Sequence, residues 1–427
     1  MKHILSVFLF VLSLTASLSA QTPSSFVRME KGHFMLNGKP YYYIGTNLWY
    51  GAILGSEGEG GNRARLTKEL DFLKSIGINN LRVLVGSDGA NGITSKVEPT
   101  LQKSPGVYND TILAGLDYLL AEMGKRKMYA VLYLNNSWEW SGGYSQYLQW
   151  AGYGKAPVPS VDGWPAYMKY VKQFPQSDSA KVLFRNYVKD IITRTNRYTG
   201  KKYTYDPAIM SWQIGNEPRA FSNENKEAFA RWIADVAAQI KSLDKNHLVS
   251  TGSEGKHGCE EDLQLFERIH AVKDVDYMNI HIWPYNWGWA TKDSISEKLQ
   301  SAKENTKEYI LEHLAIARKY QKPLVLEEFG LPRDGFKFSK ESTTLARDSY
   351  YKYVFDWIVA DKKINGLFAG CNFWGWGGFA NPGGKHIFWQ KGDDYMGDPA
   401  QEEQGLNSVF ATDKTVEVVK SFTTKLK

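Results

Sequence analysis

The chain has 427 residues, 43% of them hydrophobic and 23% charged, which excludes an intrinsically disordered protein and leaves room for one large domain or two ordinary ones. Its net charge of +6 is scattered without basic runs, so no nucleic-acid groove is expected. Cys259 and Cys371 are the only cysteines, which excludes a disulfide framework and leaves two unpaired thiols, neither placed to act as a nucleophile.

Met1 to Ala20 open with Lys2, run on through the apolar stretch Ile4 to Leu12 and end in the small residues Ala16, Ser17, Ser19 and Ala20. This is the design of a secretory signal peptide cut after Ala20. The run is well short of the ~20 apolar residues of a membrane span, and no later stretch reaches that length. No cysteine near the cut offers a lipid anchor. A secreted or periplasmic protein comprising residues 21–427 is expected.

Phe34 to Pro40 reads as a small hairpin edge with an Asn-Gly turn that plugs the bottom of the main domain. An alternation then begins. Strand Tyr42 to Trp49 is followed by helix Ala64 to Ile76, whose Leu66, Leu70, Leu73 and Ile76 share one face. Strand Asn80 to Val85 precedes helix Ile112 to Lys127, and strand Met128 to Leu134 precedes a long insertion and helix Ala180 to Tyr198. The fourth strand runs into Trp212 to Arg219, with helix Lys226 to Leu243 behind it, and the fifth, His247 to Thr251, leads to helix Glu261 to Val272. Strand Asp276 to Trp283, helix Glu297 to Tyr320, strand Pro323 to Gly330, helix Thr344 to Asp361 and strand Gly366 to Trp374 follow, and helix Thr415 to Leu426 closes the chain. Strands and helices alternating in this way without a low-complexity linker predict an α/β fold of one domain, a (β/α)8 TIM barrel, with catalytic groups at the C-terminal strand ends.

Two of those ends carry acids. Trp212-Gln213-Ile214-Gly215-Asn216-Glu217-Pro218-Arg219 and Pro323-Leu324-Val325-Leu326-Glu327-Glu328-Phe329-Gly330 each run an apolar strand into a carboxylate and then turn. Strands four and seven stand nearly opposite around a closed barrel, so Glu217 and Glu328 would face one another. A pair of carboxyl groups is the minimum equipment for breaking a glycosidic bond: one protonates the leaving oxygen and the other attacks or stabilises the oxocarbenium carbon. Alternation sets Glu327 and Glu328 on opposite faces without saying which is the barrel face, and it separates Asn216 from Glu217 unless the strand end twists. The insertions Asn135 to Ser179 and Gly375 to Thr412 are rich in aromatics, among them Trp138, Trp140, Tyr144, Tyr147, Trp150, Tyr153 and Trp164 in the first and Trp376, Phe379, Phe388, Trp389 and Tyr395 in the second. They read as walls of a carbohydrate groove, with loop packing the default for any single ring. No histidine and carboxylate spacing matches a zinc site, and no glycine-rich loop opens a helix as a nucleotide site would, so neither metal nor cofactor is expected.

Taken in order, Leu-Arg-Val on strand two, Asn-Glu-Pro after strand four, the histidine on strand six, Glu-Phe-Gly on strand seven and Phe-Trp on strand eight resemble glycoside hydrolase family 5. Gly215 to Arg219, Asn135-Asn136-Ser137-Trp138 and Asp398 to Gly405 followed by Ser408-Val409-Phe410 are similar to its endo-β-1,4-mannanase branch. The resemblance implies a retaining double displacement with Glu217 as acid/base and Glu328 as nucleophile. It further implies Asn216 on the sugar 2-hydroxyl, Arg82 orienting and ionising Glu328, His281 near the acid/base, Trp374 as the floor under the reacting sugar and Arg219 on the leaving-group side, with Trp138, Asn136 and Trp49 as further substrate contacts. The implied substrate is a β-mannan, glucomannan or galactomannan, cut by a monomer. A family 5 endo-β-1,4-glucanase, an exo-acting β-mannosidase and a barrel that binds sugar without turnover are the alternatives. One position departs: where the family usually has a tyrosine near the nucleophile this chain has Trp283, which is expected to pack as cleft wall beside Pro284, Tyr285 and Trp287.

Overall fold

Parallel strands covered on both faces are mostly apolar, and here the exceptions, among them Asn47, Arg82, Gln213 and His281, are the polar residues that the barrel interior uses. A computed structural model describes residues 26–382 and 386–427, so the expected signal peptide lies outside the described residues. Eight strands form one parallel sheet: β1 Tyr43–Asn47, β2 Asn80–Leu84, β3 Tyr129–Tyr133, β4 Ile209–Gln213, β5 Leu248–Ser250, β6 Met278–Ile282, β7 Leu324–Phe329 and β8 Phe368–Phe373. Their spatial order is β5-β4-β3-β2-β1-β8-β7-β6, and every residue of every one of them is buried. Between β5 and β6 the barrel closes through single backbone bonds, from the Asp276 N–H to the Val249 carbonyl (2.8 Å) and from the His281 N–H to the Glu254 carbonyl (3.1 Å).

The helices outside are α1 Arg63–Ser75, α2 Asp110–Lys125, α3 Asp178–Ile192, α4 Lys226–Leu243, α5 Leu263–Ala271, α6 Leu299–Tyr320, α7 Leu345–Lys363 and α8 Thr415–Lys425. Short polar side chains set several starts: Asn62, Asn109, Ser177 and Asp262 each accept from a backbone N–H in the first turn of α1, α2, α3 and α5. Helix α3 ends at Ile192 and not at the expected Tyr198. The cause is Asp117 of α2, a buried acid that accepts from Arg194 (2.7 and 2.9 Å), the Arg197 N–H (3.2 Å) and the Tyr203 hydroxyl (2.6 Å) and so holds this stretch in a turn.

The N-terminal hairpin plugs the barrel as expected. Strands Arg28–Glu30, His33–Leu36 and Lys39–Pro40 form a small antiparallel sheet, and Val27 and Phe34 join Tyr41, Tyr43, Tyr129, Met210, Tyr277 and Val325 in an apolar layer at the barrel bottom. Phe34 meets Tyr277 edge-on at 5.1 Å. The insertion after β3 folds into helical segments, chiefly Gly143–Trp150 and Trp164–Val171, while that after β8 pairs strand Trp376–Gly378 with Val409–Phe410. Cys259 and Cys371 are buried and free. Among the described residues no helix is long and apolar enough to cross a membrane.

Candidate active site

Beyond β4 the chain is pinned from both sides. The Asn216 N–H donates to the Asn135 carbonyl (2.7 Å) after β3, and the Glu217 N–H to the Gly252 carbonyl (3.0 Å) after β5. Glu217 takes a φ of +51°, in the left-handed region, which costs a non-glycine residue of order 1–3 kcal/mol and persists only where neighbours hold it. This is the twist that strict alternation lacked: it brings the side chains of Asn216 and Glu217 to one cleft.

A second departure from alternation serves the other acid. Along the β6–β7 ladder Ile280 pairs with Leu326 but His281 pairs with Glu328, so β7 carries one extra residue, a bulge at Glu327. Val325 and Glu327 point inward as a plain strand would have it, and after the bulge Glu328 points inward as well. The expectation that the two acids face opposite ways is thereby corrected. Glu327 sits one layer deeper, with Gln213 Nε2 at 2.5 Å, the Tyr277 hydroxyl at 3.3 Å and Arg82 Nε at 3.8 Å.

Arg82 is fully buried and spends its fixed fork of donors on four partners. It pairs with Glu328 Oε1 and donates to Gln213 Oε1 (2.8 Å), Asn47 Oδ1 (3.1 Å) and Asn216 Oδ1 (2.8 Å). The guanidinium so fixes both the nucleophile candidate and the asparagine beside the acid. Asn136 stands behind this arrangement, not in the cleft: it accepts from Asn216 Nδ2 (3.2 Å) and donates to Ser141 Oγ (2.9 Å). Trp49 is not among the cleft-lining residues either. It is buried against Trp140 and Tyr395, with its indole N–H on the Gly397 carbonyl at 3.0 Å.

Glu217 accepts from the Trp138 indole (Oε2, 2.5 Å) and contacts His281 Nδ1 through Oε1 (2.8 Å). Burial and the positive charges of Arg82 and Arg219 push His281 far below the usual imidazole range, so it is neutral. Oxygens of Glu217 and Glu328 and a ring nitrogen of His281 all lie within 4.8 Å of one another. Burial pushes both carboxyls up, Glu328 against the pull of Arg82 and Glu217 against that of Arg219. Two buried carboxyls this close do not both ionise, and the pair shares a proton. The donors decide where it sits. Glu328 has a guanidinium and an indole, Glu217 an indole and a neutral imidazole, which places the charge on Glu328 and the proton on Glu217. The Glu217, His281 and Glu328 set has the composition of a metal triad, but its oxygens already face Arg82, Trp138 and Trp283, donors that compete with a cation.

The cleft has a volume of about 440 Å³. On one flank Arg219 donates to Glu254 (Nε to Oε2, 2.6 Å) and lies 5.1 Å over the Trp138 ring, with His257 tilted against Trp287 at 4.6 Å. On the other, Trp374 meets Trp140 and Trp283 edge-on at 6.4 and 6.2 Å. From the first insertion Trp138, Trp140 and Trp164 line the cleft while Tyr144, Tyr147, Trp150 and Tyr153 do not; from the second none of the expected aromatics does, and Gln401 and Glu402 take their place. Sequence reasoning missed Glu254, Glu139 and Glu402. A signal existed for Glu254, which lies just beyond the C-terminal end of the fifth strand, the end of the barrel at which the other two acids were sought.

With this geometry in view, residues 24–427 match the family described as GH family 5 beta-mannosidase-like. The chain belongs to glycoside hydrolase family 5. A putative mannan endo-1,4-beta-mannosidase 9 of Oryza sativa subsp. japonica is 30% identical over 358 residues, 82% of this chain and 81% of the relative. Mannan endo-1,4-beta-mannosidase 7 of Arabidopsis thaliana is 30% identical over 361 residues, 82% of this chain and 77% of the relative. The crystal structure of a glycoside hydrolase family 5 mannosidase from Rhizomucor miehei superposes with a TM-score of 0.86 at 34% identity, covering 94% of this chain and 97% of that one.

In this family 5 hydrolase Trp283 does more than pack. Its indole N–H lies 3.3 Å from Glu328 Oε2, which overturns the expectation of a wall residue only. Hydrogen bonds to charged groups contribute about 1.5–3 kcal/mol, and one this long belongs at the low end. Removing a donor from the carboxylate form raises its pKa. Trp283→Phe is therefore expected to move the acidic limb of the pH–rate profile upward and to slow glycosylation with little change in melting temperature. An unmoved limb would return Trp283 to the role of wall.

Proposed function

We propose that the protein is an exported, retaining glycoside hydrolase that cleaves β-1,4-mannosidic bonds in the interior of mannan, glucomannan or galactomannan chains. The observation that carries the reading is the approach of Glu217 and Glu328 to within 4.8 Å. Retaining enzymes hold their carboxyls about 5–5.5 Å apart, whereas an inverting site needs roughly 6.5–9.5 Å to admit a water between acid and sugar. In the first step Glu217 gives its proton to the glycosidic oxygen as Glu328 attacks the anomeric carbon. In the second, Glu217 takes a proton from water, which displaces Glu328 from the sugar. Asn216, held by Arg82, offers its amide to the sugar 2-hydroxyl, and Trp374 supplies an apolar face under the ring. The β-mannan substrate rests on the plant relatives named for that activity, and export rests on the leader-like Met1 to Ala20.

An exo-acting β-mannosidase is the second reading, favoured by the likeness to the Rhizomucor miehei mannosidase along nearly its full length. The product pattern separates the two. An endo enzyme collapses the viscosity of a mannan solution while few reducing ends have appeared and leaves a ladder of oligosaccharides; an exo enzyme releases mannose and leaves the viscosity nearly intact. Hydrolysis of carboxymethylcellulose with no action on mannan would overturn both.

A further inference from the structure

Behind the cleft wall lies a second cavity of about 480 Å³, lined by Lys96, Ser145, Gln146, Gln149 and Val158 and bounded by Glu139. That volume falls within the ~300–1,000 Å³ range of small-molecule sites. Glu139 lines the catalytic cleft as well, so the two spaces meet at this residue. It is 8% exposed, yet its Oε2 has no hydrogen-bond partner. Lys96, 6% exposed, faces the same cavity, and its ammonium makes one long bond to Gln146 Oε1 (3.5 Å), with Asp88 supplying the counter-charge. An ammonium has three donors and a carboxylate about four acceptor positions, so both groups keep unused capacity in a place where unused capacity is costly. Burial pushes Glu139 up to about 7, so near neutral pH its carboxyl both gives and accepts hydrogen bonds.

A ligand that uses such a wall carries alternating donors and acceptors and no net charge, as the hydroxyls of a sugar ring do. Position narrows it further. Trp138 and Trp140, the neighbours of Glu139, continue the cleft, whereas the rest of the cavity comes from loops around Gly92 to Lys96 and Gly142 to Asp162 that the cleft does not touch. A ring that passes Glu139 leaves the line of the backbone, as a branch does. We propose that this cavity is an accessory subsite for a neutral sugar branch, such as a galactosyl side group, on the chain held over Glu217 and Glu328. The proposal rests on the reading of the protein as a mannan hydrolase.

Two variants test it. Ala156→Trp fills the cavity from its half-buried rim, and Lys96→Met keeps the length of the side chain while removing the ammonium. On a galactosyl-branched manno-oligosaccharide each is expected to lower kcat/KM about tenfold, mainly through KM, the loss that one or two hydrogen bonds amount to. On the linear oligosaccharide of the same backbone Ala156→Trp is expected to match the wild type. Wild-type ratios of branched to linear rates in both variants, or equal losses on the two substrates, would overturn the proposal. If the wild type cleaves neither oligosaccharide, the mannan reading fails, and the cavity is then judged by saturation-transfer NMR with methyl α-galactoside: a signal lost in Ala156→Trp supports the subsite, and an unchanged signal overturns it.

Discussion

Replacing Glu217 by glutamine is expected to lower turnover of a β-mannan by roughly 10²- to 10⁴-fold, the usual contribution of a positioned acid. An aryl β-mannoside with a good leaving group needs no protonation in the first step, so this variant should still form the glycosyl-enzyme with it, and azide should speed its release. Glu328→Gln should lose both substrates, because no carboxylate is left to attack, while an amide of nearly the same volume preserves the fold and oligosaccharide binding. Burst kinetics with the aryl substrate and the anomeric configuration of the azide product separate the roles. Azide rescue of the Glu328 variant with retention of configuration would reverse the assignment.

The second large effect is expected at Arg82. Methionine there would strand Glu328, Gln213 Oε1, Asn47 Oδ1 and Asn216 Oδ1 in a buried layer, and removing one partner of a buried ion pair costs about 3–5 kcal/mol. Activity should fall further than stability. The guanidinium favours the carboxylate form of Glu328, so its removal lets an already raised carboxyl rise again. At a given pH fewer molecules then carry an ionised nucleophile, and the acidic limb moves to higher pH. Arg82→Lys keeps a charge but is a point donor without the fork. Its limb should stay near the wild-type position while kcat falls through the lost hold on Asn216. An unshifted limb in Arg82→Met would show that another group sets the ionisation of Glu328.

Much of this site was legible because apolar runs mark parallel strands and because a strand that ends in an acid and a turn announces itself. Glu217 and Glu328 were found for that reason, while Arg82, His281 and Trp374 came from the ordered motifs that resemble family 5. What the sequence hides is local backbone geometry. A one-residue bulge at Glu327 and a left-handed residue at Glu217 both break the period of two on which facing arguments rest. Loop side chains were the other blind region. Aromatic content in the insertion after β8 promised a sugar wall, but Trp376 went to a buried bond with Glu69 (2.6 Å), and the cleft received Gln401 and Glu402 instead. Composition records how many rings a loop has, not which way they turn. Trp283 shows the same limit at one residue, since packing volume and an indole N–H are read from a single letter.

The plug at the barrel bottom bears on how far the front of the chain can be shortened. Val27 is 1% exposed and Phe34 is likewise buried, both in the layer that closes the barrel beneath β1, β3, β4, β6 and β7. Burying a side chain of this kind stabilises a fold by about 1.5–3 kcal/mol, so trimming past Val27 would subtract from the barrel itself and let water reach Tyr43 and Tyr277 from below. Phe26 is tied in as well, edge-on to His247 at 5.2 Å. An N-terminal fusion therefore joins the chain ahead of Phe26, at the plugged end of the barrel and away from the cleft that holds Glu217 and Glu328.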